Sequence, residues 1–297
     1  PPAARATAER LTQRITEREQ SRRTQASGYL EAVLGRDSNV NYATQTGTLY
    51  VPLFGGTFDL AAANMKRGDR YGTLAVGGRA SVPMDEFTWL ANGEVRQREN
   101  DLQRDYDYLS ADGRVGVQYE SGANQLRAYL GHNRYDLGHS AYRVVSASTL
   151  EWSHRRDART EASVFGQHSR IRYLQTDARA ASSNLTMLGV GIAHEAAPGL
   201  VWLASAFNGD ETATDGRLDG DRRLLGGRIG AQLGVGEWTG YATFAVQRSH
   251  YERNNPLFLA TRNDLQHDFI AGVVWQFADR WSLRPQVTYT TNRSPVA

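Results

Sequence analysis

The stretch LSADGRVGVQYESGANQLRAYL, residues 109–130, carries an apolar or small side chain at every second position. Leu109, Ala111, Gly113, Val115, Val117 and Tyr119 fall on one face, with Asp112 and Arg114 on the other. After the turn residues Glu120 to Ala123 the alternation resumes with Leu126, Ala128 and Leu130 around Arg127. A period of two is the signature of a strand with one greasy and one wet face, so the stretch predicts a β-hairpin.

The pattern recurs along the chain. Leu74, Val76, Gly78, Ala80, Val82 and Phe87, Trp89, Ala91, Gly93, Val95 precede it; Leu225 to Leu233, Trp238 to Val246, Phe269 to Phe277 and Trp281 to Tyr289 follow it, each apolar at alternate positions. Residues 141–154, 160–168, 184–194 and 200–207 carry apolar groups on both faces and are read as further strands. There Gly189 and Gly191 either make room for a neighbour or mark bends.

The connections separate this pattern from a soluble sandwich. Short ones are expected at residues 83–86, 120–123, 154–158, 195–199, 235–237 and 278–280, and long polar ones at 36–67, 98–104, 133–140, 169–181, 208–221 and 249–263. Such alternation belongs to outer-membrane barrels, with tight periplasmic turns and longer outside loops. An apolar band about 25 Å tall, crossed at roughly 40°, needs about ten residues at about 3.3 Å each, as these segments supply. Trp89, Tyr119, Trp152, Trp202, Trp238, Trp275 and Trp281 lie near the short connections, where interfacial rings belong.

Thirteen strands are expected, beginning near residues 25, 69, 86, 105, 124, 141, 159, 183, 199, 222, 237, 264 and 281. A single-chain bacterial barrel has an even number. The expectation is an all-β, transmembrane, antiparallel up-and-down β-barrel of about 14 strands over residues 24–297, with its last strand missing or truncated. GRDSNVN, residues 35–41, then marks where the first strand leaves the membrane, because Asp, Ser and Asn bond their own backbone and stop a ladder. Residues 47–65 are apolar enough to form a hairpin or a loop folded back over the pore.

Composition narrows the function. Lys and Arg number 34 against 32 Asp and Glu, so charge excess gives nucleic-acid binding no support. Cysteine is absent, which removes thiolate catalysis, Cys-ligated metals and disulfides. Residues 1–23 read as a helix with Ala4, Ala8, Leu11 and Ile15 at helical spacing. It is a linker from an absent periplasmic domain, a plug or a partner-binding helix. PPAARATAER lacks the apolar core of a secretory signal, so an exported protein would be represented here by a mature chain or a domain.

No catalytic spacing is present among the seven histidines. His132, Asp136, His139 and Ser140 share one predicted outside loop, where a rim hydrolase is conceivable and an ordinary polar loop is the simpler reading. Asp210, Glu211, Asp215, Asp219 and Asp221 lack metal-ligand spacing and read as a solvated loop. The lumen is expected to be lined by Glu31, Arg79, Glu94, Arg96, Asp112, Arg114, Arg127, Arg143, Glu151, Arg228, Asp268 and Arg284, with Glu161 beside them. These charges either pair across the interior or line a wet path for a polypeptide or glycan.

SGYLEAVLGRDSNVN (27–41), ATRNDLQHDFIAGVVWQF (260–277) and WSLRPQVTYTTNRS (281–294) resemble the C-terminal barrel of the Slam family, the surface lipoprotein assembly modifiers. The resemblance spans roughly residues 24–294. It implies a fourteen-stranded barrel behind a periplasmic tetratricopeptide domain, helping client lipoproteins or soluble proteins across the outer membrane. No such repeat precedes residue 24, and no closing strand with a terminal aromatic follows Ser294. The expected protein is therefore an outer-membrane translocator, not an enzyme. It has no cofactor, metal or nucleic acid, and works as a monomer among outer-membrane lipids with a client surface protein and an upstream repeat domain. The alternative is an exopolysaccharide-export or diffusion channel.

Overall fold

The computed structural model describes residues 23–44 and 46–294, and most of them lie in antiparallel strands. The first pass, β1 (Gln25–Asp37), ends in a long outer loop holding a small hairpin of β2 (Thr48–Val51) and β3 (Gly56–Asp59). Then come β4 (Asp69–Met84), β5 (Phe87–Asn100), β6 (Tyr108–Ser121), β7 (Asn124–Leu137), β8 (Ser140–Arg155), β9 (Thr160–Tyr173) and β10 (Ser183–Ala197). The series continues with β11 (Leu200–Ala213), β12 (Arg222–Val235), β13 (Trp238–Asn255), β14 (Ala260–Ala278), β15 (Trp281–Leu283) and β16 (Gln286–Arg293).

Apart from the β2–β3 hairpin these form one 14-stranded sheet in which chain neighbours are sheet neighbours, an up-and-down topology. β15 and β16 both pair with β14 and are two pieces of one pass, interrupted at Pro285, which has no N–H to give to a ladder. Counted as passes the sheet therefore has thirteen, with starts close to those read from the sequence. The helix expected over residues 1–23 lies, except for Arg23, outside the described residues.

The first and last passes run in the same direction, because twelve antiparallel steps separate them. No ladder joins these two edges among the described residues. Side-chain and loop contacts connect the two sides instead. Arg284 donates to Glu31 on β1, and the Leu53 N–H beside the small hairpin donates to the Leu257 carbonyl at 3.1 Å in the β13–β14 connection.

Burial is inverted relative to a water-soluble fold. Leu30, Leu130, Leu150, Leu188, Leu225 and Ile229 stand exposed on the outer face, while the buried positions are largely polar, Ser153, Ser169, Ser249 and Asp264 among them. Only hydrocarbon outside makes that arrangement favourable, since each apolar side chain left in water forfeits about 1.5–3 kcal/mol. Toward the short turns the outer face ends in rings: Trp89, Trp152, Trp202, Trp238 and Trp281 are exposed there, and Trp238 stacks on Trp275 at 5.0 Å. An indole has an apolar body and a donor edge, so it sits at the boundary between lipid and water.

The short turns follow local chemistry. Gly122 adopts φ 60° in the turn between β6 and β7, a left-handed value that glycine takes without steric cost. In the 156–159 turn Asp157 accepts from the Arg159 N–H at 2.8 Å, which holds its carboxyl below the usual range.

Several outer connections are shorter than the sequence suggests: β9 runs to Tyr173 and β11 to Ala213, and two more connections nearly vanish. Residues 133–140 are not a long loop: β7 runs to Leu137 and meets β8 through Gly138 and His139, both at positive φ. Likewise β13 and β14 consume most of residues 249–263. Above the apolar band the outward positions are polar, for example His132, Arg134, Arg248 and His250, so the alternation that reveals a strand vanishes while the ladder continues.

Ile229 lies midway along β12 on the outer face, beside inward-facing Arg228. Ile229→Arg is expected to cost about 2–4 kcal/mol of folding free energy in phospholipid vesicles, measured by reversible denaturant titration. A loss below about 0.5 kcal/mol would place that face away from lipid.

Candidate functional site

The register of the ladders assigns every side chain to a face, because cross-strand partners project to the same side. Leu30 pairs with Val76, Val76 with Val95 and Val95 with Ala111, all outward. One residue away, Glu31 pairs with Ala75, Ala75 with Arg96 and Arg96 with Ser110, all inward. Followed around the sheet, the same rule puts Arg79, Glu94, Asp112, Arg114, Arg127, Glu151, Arg143, Arg228 and Asp268 on the inner face with Glu31 and Arg96. Glu161 also faces inward. Arg284, at the break in the last pass, reaches the same face through Glu31.

About half of these charges meet one another. Arg96 donates to Glu31 at 2.9 Å and to Glu94 at 2.9 Å, Tyr29 donates to Glu94, and Arg284 completes the group on Glu31. A few strands along, Arg127 bridges Glu151 at 3.0 Å and Gln118 at 2.9 Å. Asp268 accepts from Gln266 and from Thr290, each at 2.8 Å, and Arg79 donates to Ser27 at 3.1 Å. Arg114 sits 5.8 Å from the Tyr129 ring. Asp112 and Arg228 make no hydrogen bond or ion pair among the described residues. Pairs this solvated contribute about 0–1 kcal/mol each. Their larger effect is to cancel charge along the wall.

Aromatic rings complete the inner surface. Tyr29, Tyr71, Tyr129, Phe165, Phe207 and Tyr241 each pair directly across the ladder with a glycine: Gly77, Gly35, Gly116, Gly189, Gly226 and Gly272 respectively. A Cβ at any of those glycines would overlap the ring. Each ring therefore lies down on the sheet over its glycine, where it shields backbone. For Gly189 this settles the choice between a bend and room for a neighbour: it makes room for Phe165.

A second aromatic group forms an arc toward the outer end. Tyr108 lies 5.2 Å from Tyr135, Tyr135 lies 6.2 Å from Tyr142, and Tyr142 lies 5.3 Å from Tyr173. The β7–β8 register shifts between Tyr135 and Asp136, which leaves Tyr142 as an extra residue and lets it join this inner group next to Arg143. Arg143 faces the rings of Tyr135 and Tyr173, while Arg98 lies 3.8 Å over Tyr71 and pairs with Asp37 at 3.1 Å.

These aromatics are the lining residues that sequence reasoning missed. Alternation identifies the inner face but does not say which glycine stands opposite which ring. The bulge that re-aims Tyr142 leaves no mark in the pattern.

The polar groups at the outer rim do not assemble into a catalytic or metal centre. His132 faces outward and bonds Ser146 at 3.1 Å, Asp136 is held by Arg134 at 2.9 Å, and His139 occupies the turn. The acidic residues read as a solvated loop are only partly that: Asp210 and Glu211 lie on β11, and Glu211 and Asp219 are buried. Arg217 and Arg222 bind Glu211, Asn255 donates to Asp219 at 2.5 Å, Asp210 faces Arg223 at 3.6 Å, and Asp221 accepts from the Ala213 N–H. No group of three or more metal-ligating side chains occurs among the described residues.

No protein-family model and no curated protein matches the chain. Solved structures do. The NanC porin is 10% identical over 68% of this chain and 93% of its own, with a TM-score of 0.41. OccK8 (OprE) of Pseudomonas aeruginosa is 10% identical over 91% and 84%, with a TM-score of 0.39. A bacterial polysaccharide outer membrane secretin is 10% identical over 90% and 97%, with a TM-score of 0.32. The assignment itself rests on the residues: an apolar belt, an aromatic girdle and a polar interior on an up-and-down antiparallel sheet make this an outer-membrane β-barrel.

Glu31 is the shared acceptor of Arg96 and Arg284, so Glu31→Gln leaves a net positive charge on the inner wall. The reversal potential of the reconstituted barrel in a KCl gradient should shift toward anion preference. A shift toward cations would contradict the inward placement of this cluster.

Proposed function

We propose that the barrel is a conduit for an extended hydrophilic chain, and that this chain is a client polypeptide, a surface lipoprotein above all, on its way to the cell surface. The observation that carries the reading is the mixed wall. Arg96 lies between Glu31 and Glu94, Arg127 faces Glu151, and Asp268 is held by an amide and a hydroxyl. A ring of one sign selects small ions, whereas alternating donors and acceptors with little sorted charge give a polypeptide many weak, exchangeable contacts. The three stretches that resemble the Slam barrel support the same cargo and add a periplasmic repeat domain as partner. The reading includes no covalent chemistry, so the free energy of export comes from the client folding outside or from partner machinery.

One observation favours a second reading, export of a polysaccharide. The arc of Tyr108, Tyr135, Tyr142 and Tyr173 presents contiguous rings, and sugar faces stack on aromatic faces.

Planar-bilayer recording separates the two. For a gated polypeptide conduit, the reconstituted barrel should show small, intermittent currents, and an unfolded polypeptide should lengthen the closed intervals while an oligosaccharide does not. A large steady conductance, or block by oligosaccharide that Tyr135→Ala relieves, would reject polypeptide export.

A further inference from the structure

The outer surface carries a feature that a passive lipid contact does not need. Between β6 and β10 the outward residues Ala128, Ser148 and Gly166 are small, and they leave a furrow of about 590 Å³ in the apolar belt. Leu130, Leu150 and Leu188 wall it, with Trp89 at its periplasmic end. A Cβ on Gly166 would already press Leu188 at 3.3 Å, so the furrow depends on that glycine. Its shape and apolar walls fit an acyl chain lying against the barrel.

The upper end of the furrow is basic. His168 lines it and is positioned by Thr186 at 2.9 Å. The next outward row toward the outer loops is His132, Ser146 and Arg170, and the row above that is Arg134, Val144 and Arg172. All five basic side chains of this patch are exposed. Of the acidic residues flanking the patch, Asp136 is held by Arg134 and Asp210 faces Arg223. Arg170 and Arg172 make no hydrogen bond or ion pair among the described residues. Two unengaged guanidiniums above an acyl-sized groove, on the long-loop side of the belt, form a site for a negatively charged headgroup at the outer leaflet surface.

We propose that this furrow and the Arg170/Arg172 patch bind one molecule of the phosphorylated glycolipid of the outer leaflet, lipid A, with an acyl chain in the groove and a phosphate on the arginines. A guanidinium is matched to phosphate in geometry as well as charge, which favours this lipid over a zwitterionic one. The site lies on the lipid side of the wall and is independent of the cargo in the lumen.

The test uses the full chain in detergent, titrated with diphosphoryl lipid A, with the same lipid stripped of its phosphates, with phosphatidylglycerol and with phosphatidylcholine. Native mass spectrometry reads the bound fraction. Diphosphoryl lipid A should bind at least about tenfold more tightly than the other three. Arg170→Gln with Arg172→Gln should remove that advantage, and Gly166→Leu, which fills the groove while keeping the charges, should weaken binding by a similar factor. Both variants lie on the outer surface, and unchanged heat-dependent gel mobility verifies their folding. Equal affinity for dephosphorylated lipid A or phosphatidylglycerol, or wild-type binding by either folded variant, would overturn the proposal.

Discussion

The antiparallel backbone ladder is the constraint on which the rest of the structure depends. Hydrocarbon offers no partner to an N–H or C=O, so a chain crossing it as strands must satisfy these groups from its neighbours on each side. Every pass from β4 to β14 does so in near-continuous register with both neighbours, and this register sends alternate side chains to opposite faces. Glu31 and Leu30 are adjacent in the chain, yet one holds two arginines in the lumen and the other faces lipid. A slip of one residue in any ladder would exchange the two faces.

The inner surface reflects a second consequence of the ladder. A wall of strands has no room for a packed core, so its side chains must settle against one another along the sheet. Charged residues do so in the Arg127–Glu151 pair and in the group of four around Glu31, and the six rings over glycines do so by lying flat. Both arrangements keep the lumen wet while limiting the side chains' freedom to swing into it. At the two parallel edges no ladder joins the described residues, and there Arg284 on Glu31 and the Leu53–Leu257 contact connect the first pass and its loop to the far side.

Much of this was legible in the sequence because lipid enforces a simple code. Leu225, Gly227, Ile229, Ala231 and Leu233 announce a strand, its length and its lipid face. The tryptophans mark the periplasmic boundary, and the starts of the thirteen passes follow to within a few residues. The code fails where lipid no longer enforces it. Above the belt His132, Arg134 and Asp136 are polar outside as well as inside, so the upper half of β7 resembled a loop. The candidate site was legible as a set of inward charges but not as a network. Nothing local in Arg96 or Arg284 says that both meet Glu31, since those contacts depend on the curl of the sheet. The tyrosine arc needed a bulge at Tyr142, and the furrow needed the small residues Ala128, Ser148 and Gly166 to fall in two adjacent outward rows, a matter of register among three separate strands.

The chain contains no cysteine, so single cysteines can be introduced one at a time and labelled without background. Nitroxides placed at successive positions 239–246 along β13 in a reconstituted bilayer report oxygen, which concentrates in lipid, and a water-soluble nickel complex, which does not enter it. The expected result is alternation with period two: oxygen highest at 240, 242, 244 and 246, nickel highest at 239, 241, 243 and 245. Equal accessibility along the strand, or the opposite phase, would contradict a barrel that turns its apolar face to the membrane and its charges to an aqueous lumen.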